Sequence, residues 1–341
     1  DSTKDQGNGI REAENGSRFL LTTEVEDKNR VHLLLFPSSG AAEDVYQEFQ
    51  QFSSDIDREG RPRPDITGEE IDQVCKRNGV LIGPCHAFTP WTALYSKFDS
   101  LQGCCGNSTD VLSFLELGPS SDTSLADSIS EHHDMTFVRF SDAHCPWPHR
   151  LGREFTRFEL NELSFSELEK AFERKGGRKT TLNVGFDPRE GKYHCTACND
   201  CYQKYSLEQA ERFGWVCQEC GRTIKKGVRD RIQELADTDV GDSPDFRPRY
   251  VHLFPLAGII QEVVGHSSPT TKTVQKIYDD FQERFSSEID ILTEKAIEEL
   301  EGINQEFTDA VKKFRSDSIV IVPGGGGSYG ELVIPSDSEE K

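Results

Sequence analysis

Residues 135–144 read MTFVRFSDAH, from Met135 to His144. A short apolar run is stopped by an acid and a histidine two places apart. On extended backbone, residues i and i+2 point the same way, so Asp142 and His144 can serve one metal ion or two neighbouring ones. The same design recurs upstream. Gly79–Gly83 runs into Pro84-Cys85-His86, Val111–Glu116 ends on an acid, and the apolar run Arg18–Thr23 ends at Glu24. Helical patterns lie between: Val45, Phe49 and Phe52 share one helix face, and Glu69–Lys76 forms a second helix. Short strands alternating with helices, with polar residues just past the strands, predict an α/β fold of the β/α-barrel kind, whose strand ends converge on one mouth. A doubly wound sheet also gathers ligands at strand ends and is the alternative.

Glu24, His86, Asp142 and His144 together suit a multinuclear hydrolytic centre. A carboxylate can bridge two cations, and imidazole selects zinc, manganese or iron over magnesium. His32 is the weaker candidate, because it begins its apolar run. His132 and His133 lie in a polar stretch and read as surface residues. His149, in Pro148-His149-Arg150, is a further candidate for a ligand or phosphate contact. Arg153, in Gly152-Arg153-Glu154-Phe155, can clamp a phosphate in fork geometry. A surface ion pair with Glu154 is the plain alternative.

Further along, Cys198, Cys201, Cys217 and Cys220 read C-x2-C, fifteen residues, C-x2-C. This is zinc-ribbon spacing, and four thiolates fill a tetrahedral ion with no open position, so a structural zinc site is expected. A disulfide or redox couple is the alternative. Cys195 offers another first knuckle with Cys198, but Cys198/Cys201 is preferred.

The chain has 341 residues and a formal net charge of −21. Such a surface stays hydrated in abundant salt, and a halophilic cytoplasm is the expectation. The stretch from Lys170 to Tyr250 departs from this, with 16 Lys/Arg against 13 Asp/Glu. Arg222, Lys225, Lys226, Arg229 and Arg231 crowd behind the second cysteine pair. A basic island on an acidic chain points to a local polyanion, and Lys225, Lys226, Arg229 and Arg231 are the candidate DNA contacts. A solvated helix is the competing account.

No apolar run approaches a membrane span, and no secretory h-region opens the chain. Ten cysteines with metal-like pairing suit a reducing, cytoplasmic compartment. The sole methionine is Met135, so loss of an N-terminal segment is expected. Residues 1–17 read as loose, 18–190 as the hydrolase barrel, 191–236 as the four-cysteine segment and 249–335 as a mainly helical domain. Gly324–Gly327 reads as a turn closing a small sheet or shaping a DNA-facing edge. It lacks the lysine of a phosphate-binding loop.

Read in order, Thr22–Glu26, Pro84–Trp91, Glu116–Pro119, Ser141–His144, Gly152–Phe155, Gly191–His194, Gly227–Arg231 and Pro323–Gly330 resemble the endonuclease Q family of archaeal and bacterial DNA-repair nucleases. The resemblance runs from about residue 18 to 335 and suggests a haloarchaeal member. It implies a distorted β/α barrel of the polymerase-and-histidinol-phosphatase (PHP) type, N-terminally incomplete here, because the family's early H-x-H is missing. It implies two or three divalent ions, Zn2+, Mn2+ or Mg2+ undistinguished, with Glu24, His86, Asp142 and His144 on the metal motifs. Cys198, Cys201, Cys217 and Cys220 then fall on a structural Zn2+ site. The implied activity is hydrolysis of the phosphodiester 5′ to uracil, hypoxanthine or an abasic site. DNA is the implied partner, with replication or repair proteins beside it and no membrane. Extrusion of the damaged base is expected, with Trp91, Tyr193 and Phe186 as stacking candidates. The alternatives are a PHP-type phosphatase on a small ester and a catalytically impaired DNA-binding fragment.

Overall fold

Asp27 sets the first hairpin of the central sheet. Its carboxylate accepts from the amides of Asn29 (2.8 Å) and Val31 (2.7 Å), a side-chain-capped turn. Arg30 takes the left-handed conformation that closes it (φ 67°). Our computed structural model describes residues 3–54, 56–57, 60–144, 153–239, 242–285, 287–301, 305–316 and 320–333. The chain divides into two compact units. The first comprises Asp1–Phe140, Phe155–Asn183 and Val228–Tyr250, the second Ser141–Glu154, Val184–Gly227 and Val251–Lys341.

The first unit begins with an antiparallel three-stranded sheet, β1 (Thr3–Asp5), β2 (Ile10–Ala13) and β3 (Arg18–Leu20). The expectation of a loose segment over 1–17 is therefore corrected. Turn residues at Gly7, Gly9 and Gly16, all at positive φ, fold short polar strands that carry little hydrophobic periodicity. Nor does Glu24 end a strand begun at Arg18. The chain turns after Leu20, and Glu24 lies inside β4 (Thr23–Glu26).

β4 pairs antiparallel with β5 (His32–Phe36), which pairs antiparallel with β6 (Leu81–Pro84). β7 (Leu115–Glu116) and β8 (Phe137–Val138) are parallel to each other, and a parallel bridge joins Ile82 to Leu112. The fold is α/β, and among the described residues the sheets are open. Val25, Leu33 and Leu35 face a large core with Val45 and Phe49 from the helix Ala41–Gln50 and Ile71 and Val74 from the helix Gly68–Asn78. Phe52, expected on the same helix face, lies past the helix end and is exposed. Thr67 and Glu70 form a capping box at the start of the second helix, and Gly79 ends it in the left-handed region. The other sheet face carries Phe36 with Phe114, Val138, Leu168 and Phe172.

His132 corrects another expectation. It is fully buried, its Nδ1 2.8 Å from the Ala126 carbonyl oxygen and its Nε2 hydrogen-bonded to the Tyr95 hydroxyl. Burial pushes its pKa down to about 4, so it is a neutral core residue.

In the second unit, the four-cysteine segment has its own small core of Tyr205, Ala210 and Ile224. The helices Leu256–Val264, Lys272–Arg284 and Gln305–Arg315 follow, with the Phe281 and Phe307 rings 4.2 Å apart between centroids. Strands Val320–Val322 and Glu331–Val333 form a hairpin. Its glycine loop packs against the cysteine segment. Cys195 donates its amide to the Gly324 carbonyl (2.9 Å), and Gly327 donates to that of Lys192 (2.8 Å). A Cβ on Gly326 would stand 2.0 Å from the Cys198 carbonyl oxygen, so close backbone approach explains the glycines. Among the described residues no helix is long and apolar enough to cross a membrane.

Candidate metal centre and cysteine cluster

The hairpin register assembles the first site. Glu24 and Glu26 lie two apart on β4 and share a face, and Glu26 pairs directly with His32. Leu33 pairs with Pro84, so the chain leaving β6 passes beside His32, and Cys85 donates its amide to the His32 carbonyl (3.0 Å). His86 then adopts φ 34°, a conformation L-residues rarely take. The carboxylate of Glu116 accepts the His86 amide, and Ala87 donates to the Glu116 carbonyl (2.9 Å). Gly118 lets the turn close, since a Cβ there would lie 2.5 Å from that of His86.

The result is a convergence of donor atoms. His32 Nδ1 lies 2.5 Å from Glu24 Oε1 and 3.2 Å from His86 Nε2, and His86 Nε2 lies 3.8 Å from Glu24 Oε1. Glu24, Cys85 and His86 each bring a ligand atom within 4.8 Å of the others. On its far side, His32 Nε2 meets Glu26 Oε2 at 2.9 Å. Both ring nitrogens of His32 thus face a carboxylate, Nδ1 that of Glu24 and Nε2 that of Glu26. A cation in the cluster would take the Nδ1 side and leave the proton on Nε2, the usual support of a metal-binding histidine. Burial alone would raise the Glu24 pKa. Hydrogen bonds and charge from His32 and His86 outweigh it and hold this carboxyl far below the usual range. One hard carboxylate and two imidazoles on buried, braced backbone fit a divalent transition metal.

Glu24 and His86, predicted from sequence, are thus together, and His32 joins them. Glu26 and Cys85 were missed as parts of the site, and Glu116 was noted only as an acid at a strand end. The signal for Glu26 was its spacing from Glu24, and for Cys85 its adjacency to His86. Glu116 faces backbone, accepting also from the Gly118 amide (3.1 Å), with the buried Arg139 guanidinium 3.5 Å away.

Asp142 and His144 belong to the second unit. They are 3.5 Å apart, and His144 is 86% exposed. Arg153, expected as a phosphate clamp, is buried there. Its guanidinium lies 3.7 Å over the Phe186 ring and 3.4 Å from Glu154. The fork is engaged inside the unit, and Phe186 is covered by it. His149 and Gly152 lie outside the described residues. Trp91 is exposed, and Tyr193 lies under the Lys192 ammonium.

The second cluster holds the four predicted cysteines, their sulfurs within 4.8 Å of one another. Cys198 and Cys220 are 3.4 Å apart, Cys201 and Cys217 3.5 Å. Cys195 is instead buried against the glycine loop. Burial pushes the Cys217 thiol up, but hydrogen bonds from the Tyr205 hydroxyl (3.1 Å) and nearby amides bring it down to about 6. The set can bind a metal ion as thiolates. In Cys217→Ser we expect loss of about one metal ion per chain and a weakened segment, since its core is too small to stand alone. Metal content by mass spectrometry checks this. A folded variant with unchanged content would remove Cys217 from the ligand set.

Several cations of the basic island are engaged by the protein itself. Arg231 donates to the carbonyls of Tyr95 (3.0 Å) and Phe98 (3.1 Å) within the first unit, and Arg229 lies 2.8 Å from Asp230. Lys225 is half-buried, and Lys226 is exposed with its ammonium 5.3 Å from the Trp215 ring centre.

A family model described as the MJ0043 C-terminal domain matches residues 255–318. The uncharacterized protein MJ0043 of Methanocaldococcus jannaschii is 42% identical over 252 residues, covering 72% of this chain and 31% of that protein. The uncharacterized protein YqxK of Bacillus subtilis is 34% identical over 273 residues, covering 78% and 64%. The chain therefore spans about a third of one curated relative and just under two thirds of the other. Among solved structures, the lesion-specific endonuclease PfuEndoQ from Pyrococcus furiosus matches with TM-score 0.93 and 46% identity, over all of this chain and 84% of that one. Endonuclease Q in complex with a 27-mer duplex substrate carrying an abasic lesion matches with TM-score 0.93 and 45% identity, over all of this chain and 85% of that one. Fold and site place the chain among α/β proteins with a carboxylate–imidazole cluster. Within that class, it belongs to the endonuclease Q family.

Proposed function

We propose that this protein is a metal-dependent DNA-repair endonuclease hydrolysing the phosphodiester 5′ to an abasic site or a deaminated base. The observation that carries the reading is the convergence of the half-buried Glu24 with the buried His32 and His86. The family supports DNA as partner, since a homologue binds duplex DNA with an abasic lesion. The distorted PHP-type barrel over 18–190, a structural Zn2+ on the four cysteines of 191–236 and the helical domain of 249–335 belong to the same reading. So does a cytoplasmic, salt-adapted location.

A divalent cation at this cluster would supply charge for the phosphodiester and acidity for the attacking water. The residues prepare the site. Glu24 stays ionised at neutral pH, as its lowered pKa requires. Glu26 would keep the proton of His32 on Nε2 once a cation is bound, and Glu116 holds His86 by its backbone. Asp142 and His144 enter as further ligands on their motif alone, and Lys225 and Lys226 as phosphate contacts on charge. Arg153 is better read as a positioning residue, given its burial.

The test incubates the full-length protein with duplexes carrying an abasic site, uracil, hypoxanthine or no lesion, with Zn2+, Mn2+ or Mg2+. We expect a nick 5′ to the lesion, leaving a 3′-hydroxyl, only with metal. Metal-independent nicking, or faster hydrolysis of small phosphate esters than of lesion DNA, would overturn the reading.

A further inference from the structure

The proposed mechanism uses neither Cys85 nor the reversal beside it. Successive residues of a strand point to opposite faces. After β6 that alternation fails, because His86 turns through φ 34°. Cys85 and His86 therefore both present ligand atoms to Glu24, all within 4.8 Å of one another. Cys85 is buried, and its amide is pinned to the His32 carbonyl at 3.0 Å. Its sulfur thus sits on a braced segment beside the carboxylate–imidazole cluster.

We propose that Cys85 is a thiolate ligand of this centre and makes it select a thiophilic ion, Zn2+ or Co2+, over Mn2+ and Mg2+. The inference rests on the reading of the cluster as a metal centre and extends it to metal choice. A carboxylate and two imidazoles accept many divalent ions. Adding sulfur gives a mixed S/N/O set that suits zinc, whereas hard Mg2+ prefers oxygen and keeps its waters. Binding releases the thiol proton to solvent and forms one metal–sulfur bond, with no redox change.

The experiment uses metal-free full-length protein loaded with one equivalent of Zn2+ to fill the four-cysteine cluster, then titrated with Co2+. Cobalt bound through sulfur gives a thiolate charge-transfer band in the near ultraviolet, and its visible bands report binding by any ligands. We expect both in the wild type. In Cys85→Ala and Cys85→Ser the charge-transfer band should vanish while the visible bands persist. The preference for Zn2+ over Mn2+, measured by chelator competition, should fall at least about tenfold, the low end of what even outer-shell partners contribute. Visible bands without a charge-transfer band in the wild type would overturn the inference, whatever the variants' folding. An unchanged band in folded variants would do the same. If no Co2+ binds beyond the first Zn2+, the metal-centre reading itself fails and takes the inference with it.

Discussion

Glu24→Gln is expected to abolish lesion-dependent cleavage while leaving DNA binding largely intact. Glutamine keeps the shape of the side chain and removes its charge. The wild-type carboxylate approaches both His32 and His86, at 2.5 and 3.8 Å. A neutral amide is a poor ligand for a divalent ion and can turn its NH2 toward His32 Nδ1, occupying that nitrogen. We expect a rate loss of at least about 100-fold, the upper end of the range for residues that merely support metal ligands. Metal content should drop in parallel, read by mass spectrometry. Anisotropy with a non-cleaved duplex checks binding. Wild-type rates at limiting metal would remove Glu24 from the centre.

Arg247→Ala should produce the largest loss of stability. Arg247 and Asp127 are almost wholly buried, 2.7 Å apart. The guanidinium also donates to the carbonyls of His132 (2.7 Å) and Met135 and lies 3.4 Å over the Phe137 ring. It ties the turn before β8 to the chain near residue 247. Truncation leaves the Asp127 carboxylate buried without this cation and two carbonyls without their donor. Breaking such a pair from one side costs about 3–5 kcal/mol, whereas replacing both members by apolar residues costs much less. Urea unfolding of Arg247→Ala, Asp127→Leu and the double variant Arg247→Met/Asp127→Leu tests this. The double variant should be more stable than either single one. A loss below about 1 kcal/mol in Arg247→Ala would mean that water reaches the pair and that it acts as a surface salt bridge. The effect should reach the site, because β8 leads into Arg139, which contacts Glu116, which holds the His86 turn.

The sequence by itself determined what local spacing controls. Two C-x2-C knuckles dictate a four-sulfur cluster because each pair is close along the chain, and the structure brings those four sulfurs together. The apolar stripe with Val45 and Phe49 located the helix Ala41–Gln50, and the reading of Glu69–Lys76 as helical falls within Gly68–Asn78. His86 was legible as a polar residue just past an apolar run, Glu24 was picked out on a strand-end pattern although it lies inside β4, and the ordered motifs led to the family the structural matches show.

Tertiary structure alone decided what depends on partners distant in sequence. Antiparallel register across β4 and β5 placed His32 opposite Glu26 and beside Glu24, though its position at the start of a run argued against it. Burial of His132 depended on Tyr95, 37 residues away. Arg153 and Arg231 carry charges that suit phosphate, but they are held by Phe186 and Glu154 and by the Tyr95 and Phe98 carbonyls. A side chain's type fixes its chemistry. Whether that chemistry faces a ligand or the protein's own backbone is set by which groups the fold brings within hydrogen-bond reach, and a one-dimensional pattern does not encode that distance.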